Sequence, residues 1–218
     1  MAKSKTVRAI ALLFVGNSFT ERNNLPVLIG EMAAARDIAV THELISVGGA
    51  SLRTHWNAGR AATAIATGSY DYVVLQEQST LPVKNAARMA ENVRLFDESI
   101  KRAGAKTVLY MTWARQHAPE AQQVIADAYN TIGKELGAIV VPVGLAWQNL
   151  LAKQQSPVLH DRDQSHPTPA GSYLAACVFL TVLLKVNPIG IDAGPAAVEK
   201  QDLKTLQEAA WKQFGSRR

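Results

Sequence analysis

The chain has a single cysteine, Cys177, which excludes an internal disulfide and any metal site built from cysteines alone. Its place inside the apolar run Tyr173 to Leu184 reads as that of a buried thiol. Charge is also sparse, at 19% of residues with a formal net charge of +5. The basic residues are dispersed, apart from Lys3, Lys5 and Arg8 at the start and Arg217-Arg218 at the end. No basic stripe with interleaved aromatics occurs, so no nucleic-acid partner is expected. The longest apolar run away from the N-terminus, Tyr173 to Val186, is too short to span a membrane and carries Lys185, so no membrane partner is expected either. At the N-terminus, basic residues followed by an apolar stretch mimic an export signal. That stretch is short and runs directly into Gly16-Asn17-Ser18, and its removal would take away a central strand, so a cytoplasmic protein without an export signal is expected. Neither a full Gly-x-Gly-x-x-Gly pattern nor a P-loop is present.

With 48% hydrophobic residues over 218 positions, the chain can bury a sizeable core and is expected to form one domain spanning 1–218. Ala9 to Val15 is a continuous apolar run of strand length, which suits a central strand covered by helices on both sides. Asn23-Asn24-Leu25-Pro26 then opens a helical pattern, with an Asn as N-cap. Further strands are expected at Ile38–Val47, Asp71–Gln76, Lys106–Met111 and Ala138–Val141. Helical spacing runs from Ser51 to Thr67, Asn85 to Arg102, Pro119 to Leu136, Leu145 to Gln154, Thr168 to Lys185 and Ala196 to Phe214. Five strands alternating with helices predict an α/β fold with a five-stranded parallel sheet between two helical layers.

Four turns at one edge of such a sheet carry groups able to act together. The first gives Ser18, between a strand end and a helix. The second gives Gly49, whose N–H is open to a ligand, with Gly48 as the neighbour easily confused with it. The third gives the amides of Gln76 and Gln78, and the loop Ser156–Pro167 gives Asp163 and His166. Acyl transfer by serine needs an imidazole to take its proton, a carboxylate to orient the imidazole, and donors for the oxyanion. The Ser18 and Gly49 N–H groups and a glutamine amide would supply those donors. Two other readings stand beside this one. His160, Asp161, Asp163 and His166 form a candidate metal cluster, although Arg162 among them would repel a cation. Alternatively, the Gly16-Asn17-Ser18 turn at a helix N-terminus suits a phosphate, as in a flavodoxin-like binding module without catalysis.

Gly16-Asn17-Ser18-Phe19, Gly49-Ala50-Ser51-Leu52 and Asp163-Gln164-Ser165-His166-Pro167 resemble, in order and separation, the conserved blocks of the SGNH (GDSL-like) hydrolases. The resemblance covers nearly the whole chain. It implies a flavodoxin-like three-layer α/β/α sandwich, a Ser18–His166–Asp163 triad, and hydrolysis of a small-molecule ester without metal or organic cofactor. Acyl transfer to a sugar would use the same residues. One block departs from the pattern, because Leu75-Gln76-Glu77-Gln78-Ser79 stands where the family usually has Gly-x-Asn-Asp. It looks like branches, including some carbohydrate acetylesterases, that carry glutamine there. Gln76, directly after the strand, is the expected third oxyanion donor beside Ser18 and Gly49. Trp56 and Trp113 follow edge turns and read either as core or as a sugar- or acyl-binding wall.

Overall fold

A computed structural model describes residues 8–215; Lys3, Lys5, Arg217 and Arg218 lie outside the described residues. Strand β1 (Arg8–Gly16) is apolar on both faces because it has two cores to serve. Ile10, Leu12 and Phe14 enter one layer of buried side chains, and Leu13 and Val15 enter the other, as alternation along a strand requires. Beside it lie β2 (Ile38–Ser46), β3 (Tyr72–Leu75), β4 (Lys106–Tyr110) and β5 (Ile139–Val141), in the order β2-β1-β3-β4-β5 with every pair parallel. This is the five-stranded α/β architecture expected from the sequence. The chain leaves β1 for β2 on one side and then crosses to β3 on the other. Strand order therefore reverses at β1, and the crevice at the C-terminal end of such a strand is where open parallel sheets bind ligands.

The connections hold α1 (Ser18–Glu21), α2 (Leu25–Ala34), α3 (Leu52–Ala58), α4 (Arg60–Thr67), α5 (Leu81–Lys84), α6 (Ala86–Arg102), α7 (Ala121–Leu136), α8 (Val143–Leu151), α9 (Pro169–Phe179) and α10 (Lys200–Phe214). Helices α2, α8, α9 and α10 cover one face of the sheet, and α3, α4, α6 and α7 the other. Every residue of α9 from Ala170 to Phe179 is buried, because α10 lies over it and inserts Leu203, Leu206 and Ala210. Burying a leucine in this way contributes roughly 1.5–3 kcal/mol. The buried Gln207 amide donates to the Tyr173 hydroxyl at 2.6 Å, satisfying the polar groups between the two helices.

Some boundaries differ from the sequence reading. The single helix expected after Ser51 is two, because Gly59 takes a φ of +75° and turns the chain between α3 and α4. The helix begun by Pro169 ends in a wider π-type turn over Leu180–Leu184. Asn24 does precede α2, but in a left-handed conformation and without a side-chain cap, since the tight turn from α1 intervenes. The start of α9 follows expectation, with Thr168 Oγ1 accepting from the Gly171 N–H at 3.1 Å.

Candidate active site

Gly16 ends β1 in a place that admits no side chain, since a Cβ there would stand 2.7 Å from both Gln76 Oε1 and Thr20 Oγ1. Its carbonyl accepts from His55 Nε2 at 2.7 Å. Burial lowers the pKa of this imidazole, and the backbone bond only partly opposes that, so the ring is held neutral. Asn17 is buried and extended, and its Oδ1 caps α1 by accepting the Phe19 N–H at 3.1 Å. Its Nδ2 reaches across to the Ala50 carbonyl at 2.9 Å, tying the first turn to the glycine turn after β2. Ser18 thereby becomes the first residue of α1, with its hydroxyl facing the cleft and an N–H that has no intrahelical partner. The same cap takes the Phe19 N–H that a phosphate at this turn would need.

His166 Nε2 lies 2.8 Å from Ser18 Oγ, and His166 Nδ1 is bonded to Asp163 Oδ2. With Nδ1–H donating to the carboxylate, Nε2 carries the lone pair and accepts from the serine hydroxyl. The other oxygen, Asp163 Oδ1, accepts the N–H groups of Ser165 at 3.0 Å and His166 at 2.9 Å. Desolvation pushes the Asp163 carboxyl up. The hydrogen bonds from the His166 ring and from these two N–H groups outweigh it and hold the carboxyl well below the usual carboxylate range. The loop is pinched into a ring by a bridge between His160 and Pro167 and by the Asp161 N–H donating to the His166 carbonyl at 2.8 Å.

The segment after β4 holds this ring in place. Trp113 Nε1 donates to the Ser165 carbonyl at 2.9 Å, the Gln116 N–H donates to the Gln164 carbonyl at 3.0 Å, and His160 Nε2 donates to the Ala114 carbonyl at 3.0 Å. Trp147 stacks on Trp113 at 3.8 Å, Trp113 on Phe19 at 5.1 Å, and Phe19 meets the His166 ring at 5.1 Å. Trp113 is therefore the buried support of the histidine loop. Trp56 is packed edge-on against Phe96 on the opposite side of the sheet, away from the cleft.

The cleft, of about 210 Å³, is lined by Ser18, Gly49, Gln78, Ser79, Arg115 and His166, among others. Gly49 has a φ of +68°, which favours glycine, and its N–H has no protein acceptor among the described residues. Gln76 is placed differently from the expectation. Its Oε1 accepts the Asn17 N–H at 2.9 Å and the Thr20 hydroxyl at 3.0 Å, and its Nε2 donates to the Glu77 carbonyl. It is buried beneath the Ser18 turn and absent from the cleft wall. Gln78 lines the cleft instead, its Oε1 fixed by the Thr80 N–H, the Thr80 hydroxyl and the Leu81 N–H. That leaves its Nε2 without a protein acceptor among the described residues.

Between the two glutamines stands Glu77, fully buried. Its Oε1 accepts the Leu52 N–H at 2.9 Å and the Gln78 N–H at 2.7 Å, and its Oε2 accepts from Asn92 Nδ2 at 2.8 Å. Burial raises the pKa of this carboxyl, opposed first by the Asn92 bond and then by the two backbone bonds. One side chain thus joins the Gly49–Leu52 turn to Gln78. Sequence patterning gives no sign of it, since a glutamate in a loop ordinarily faces water.

The four residues of the candidate metal cluster part company. His160 turns inward to Ala114, Asp161 pairs with Arg22 at 2.8 Å, and Asp163 and His166 face each other. No group of three His, Cys, Asp or Glu side chains converges among the described residues. Nor is any helix among them long and apolar enough to cross a membrane.

No protein-family model matches the sequence, and no curated protein does. Solved structures do. A protein from Slackia heliotrinireducens assigned to the SGNH hydrolases is 28% identical, covering 81% of this chain and all (100%) of its own, with a TM-score of 0.70. A DUF4886 family protein from Bacteroides uniformis is 20% identical over 94% of each chain, with a TM-score of 0.74. A variant of an acetyl-xylooligosaccharide esterase from Geobacillus stearothermophilus is 16% identical, covering 81% of this chain and 95% of its own, with a TM-score of 0.66. The α/β sandwich that sets Ser18, Gly49 and His166 around one crevice is thus the flavodoxin-like fold of the SGNH hydrolases.

Proposed function

We propose that the protein is a serine esterase that hydrolyses a small acyl ester, acetyl in the first place, with Ser18 as nucleophile, His166 as general base and acid, and Asp163 as the group that orients the imidazole. The observation that carries this reading is the unbroken relay from Ser18 Oγ through His166 to Asp163. In the first half-reaction Ser18 Oγ attacks the ester carbonyl and passes its proton to His166 Nε2. The tetrahedral intermediate collapses as the alcohol leaves with that proton, and an acyl-serine remains. Water then attacks the acyl-serine, again giving its proton to His166, and the acid is released as Ser18 recovers its hydrogen. The Ser18 N–H, the Gly49 N–H and, in place of Gln76, the Gln78 amide are the donors to the oxyanion. Each such donor contributes on the order of 3–4 kcal/mol to the transition state. The limited volume of the cleft favours a short acyl group, as does the likeness to the acetyl-xylooligosaccharide esterase.

The test is a series of acetyl, butyryl and longer esters and acetylated sugars, followed by mass-spectrometric mapping of a serine-directed organophosphonate. The expected result is fastest turnover of the acetyl esters and labelling at Ser18. Ser18→Ala is expected to fold normally and to lose at least about 10³-fold in activity. Retention of most activity in a clean preparation of that variant would overturn the reading.

A further inference from the structure

The cleft does not end at the relay. Next to it lies a larger cavity of about 350 Å³, walled by Trp113, Trp147, Gln122 and His160 among others, and Arg115 lines both spaces. The guanidinium makes one hydrogen bond, from Nη2 to Ser79 Oγ at 3.3 Å, and forms no ion pair among the described residues. Arg22 and Arg94, by contrast, each close on a carboxylate, at 2.8 and 2.6 Å. The acid that lines the cleft with Arg115, Asp163, is already engaged, and so is Glu77, two residues before Ser79. Asp163 accepts from the His166 ring and two N–H groups, and Glu77 is buried with both oxygens bonded. The backbone on either side of Arg115 is pinned: the Ala114 N–H donates to Gln122 Oε1 at 2.8 Å, and the Gln116 N–H donates to the Gln164 carbonyl at 3.0 Å. A planar fork of donors thus lines the serine cleft on a pinned stretch of backbone, with no ion pair to an acid among the described residues, which suits a bidentate anion.

We infer that Arg115 is a specificity residue and that the substrate's alcohol portion carries an anionic group, a carboxylate or a phosphate, that docks on this guanidinium. The inference rests on the esterase reading above. It assigns the short acyl group to the smaller space beside Ser18 and His166, and the alcohol to the larger cavity beyond Arg115.

The test uses the full chain and three aryl acetates of similar shape: 4-acetoxybenzoate, 4-acetoxyphenyl phosphate and the neutral 4-acetoxybenzamide. Each kcat/KM is divided by the uncatalysed rate of the same ester. At low salt the native protein is expected to prefer at least one anion over the amide by about tenfold or more, the size of one charge-assisted hydrogen bond. The arm that gains identifies carboxylate or phosphate as the recognised group. The preference is expected to shrink toward one in Arg115→Gln, to invert in Arg115→Glu, and to narrow as salt is raised. Cleavage of all three esters without charge preference, or a preference that Arg115→Gln leaves intact, overturns the inference and leaves the esterase reading standing. Failure of correctly folded protein to cleave any of them overturns that reading, and the inference with it.

Discussion

Ser18 stands at the end of a strand buried on both faces, whereas His166 stands on a loop suspended from the segment after β4. On the Ser18 side, backbone groups continue the sheet ladder past its formal end, with the Gln76 N–H bonded to the Val15 carbonyl at 2.9 Å and the Val47 N–H to the Gly16 carbonyl at 3.3 Å. On the His166 side, the ring His160–Pro167 is held by separate bonds from Trp113, Gln116 and His160, by the Arg22–Asp161 ion pair, by the Asn23 amide on the Pro167 carbonyl and by one aromatic pile. The first construction belongs to the core and shares its stability. The second is a local unit, able to shift at a smaller free-energy cost. Substitutions supporting Ser18 should therefore register in stability, and substitutions supporting His166 in turnover.

The largest effect is expected from Asp163→Asn. It keeps the shape of the ring but presents the wrong hydrogen-bond pattern to His166 Nδ1, and it should lower kcat by about 10³–10⁴-fold with an unaltered melting temperature. A large fall in melting temperature would show the base loop to be part of the core and would erase the contrast.

Next come the two glutamines, two positions apart. Gln78→Ala should lower kcat by about 10²–10³-fold with little change in KM, since the proposed contact of its amide with the oxyanion belongs mainly to the transition state. Gln76→Ala leaves the Asn17 N–H and the Thr20 hydroxyl without their acceptor, and denaturation should reveal a loss of about 1–3 kcal/mol. If Gln76→Ala removes turnover from a fully stable protein, the assignment of the two must be exchanged.

A smaller effect is expected for Trp113→Phe, which keeps most of the stack and deletes the donor to the Ser165 carbonyl. About a tenfold fall in kcat is expected from a slight misplacement of His166, and crystallography or activity across temperature would sharpen it.

The pH dependence of stability is a gentler probe. Burial lowers the pKa of both His55 and His160 from the ordinary 6.5. Below 6.5 the unfolded chain then binds more protons than the native one, so stability is full above that pH and falls as pH drops toward the lowered native values. A His160→Gln variant should show a shallower acid decline in melting temperature; an unchanged slope would remove His160 from the cause. The least effect is expected from prolonged treatment with a strong chelator, which should leave the esterase rate unchanged. Loss of activity restored by added zinc or manganese would return the His/Asp cluster to consideration.

The architecture was legible because its signals are periodic. A strand buried on both faces reads as an unbroken apolar run, and Thr168-Pro169 at the head of α9 and Gly137 at the end of α7 are local start and stop signals with a backbone mechanism. Ser18 and Gly49 follow strands directly, so a parallel sheet already sets them at one edge, whereas the loop of Asp163 and His166 follows α8 and is brought there by its bonds to the segment after β4. Gln76 and Gln78 were not separable in the same way. Past Leu75 the strand's alternation ends, and which amide enters the cleft depends on Glu77, a buried carboxylate whose bonds to Leu52 and Asn92 are not local. Arg115 carries no pattern at all, since one arginine in a loop looks like any other until its place in the walls of both cavities can be seen. Gly59 gives no sign of its turn in the sequence, because a glycine inside a helical pattern is often tolerated.

The ring His160–Pro167 has a consequence for how the relay assembles and how it fails. Asp163 and His166 ride on one closed loop, so their mutual geometry is settled when that loop shuts, at the entropy of a short closure. Only one placement remains to be made over long range, that of the ring against Ser18, which is 148 residues away in sequence. An inactive excursion of this molecule would then be a swing in which the carboxylate–imidazole pair survives, while the serine contact is lost together with the bonds that tie the ring to Trp113, Gln116 and Arg22. The bond from His166 Nδ1 to Asp163 would persist through such a swing while turnover stopped.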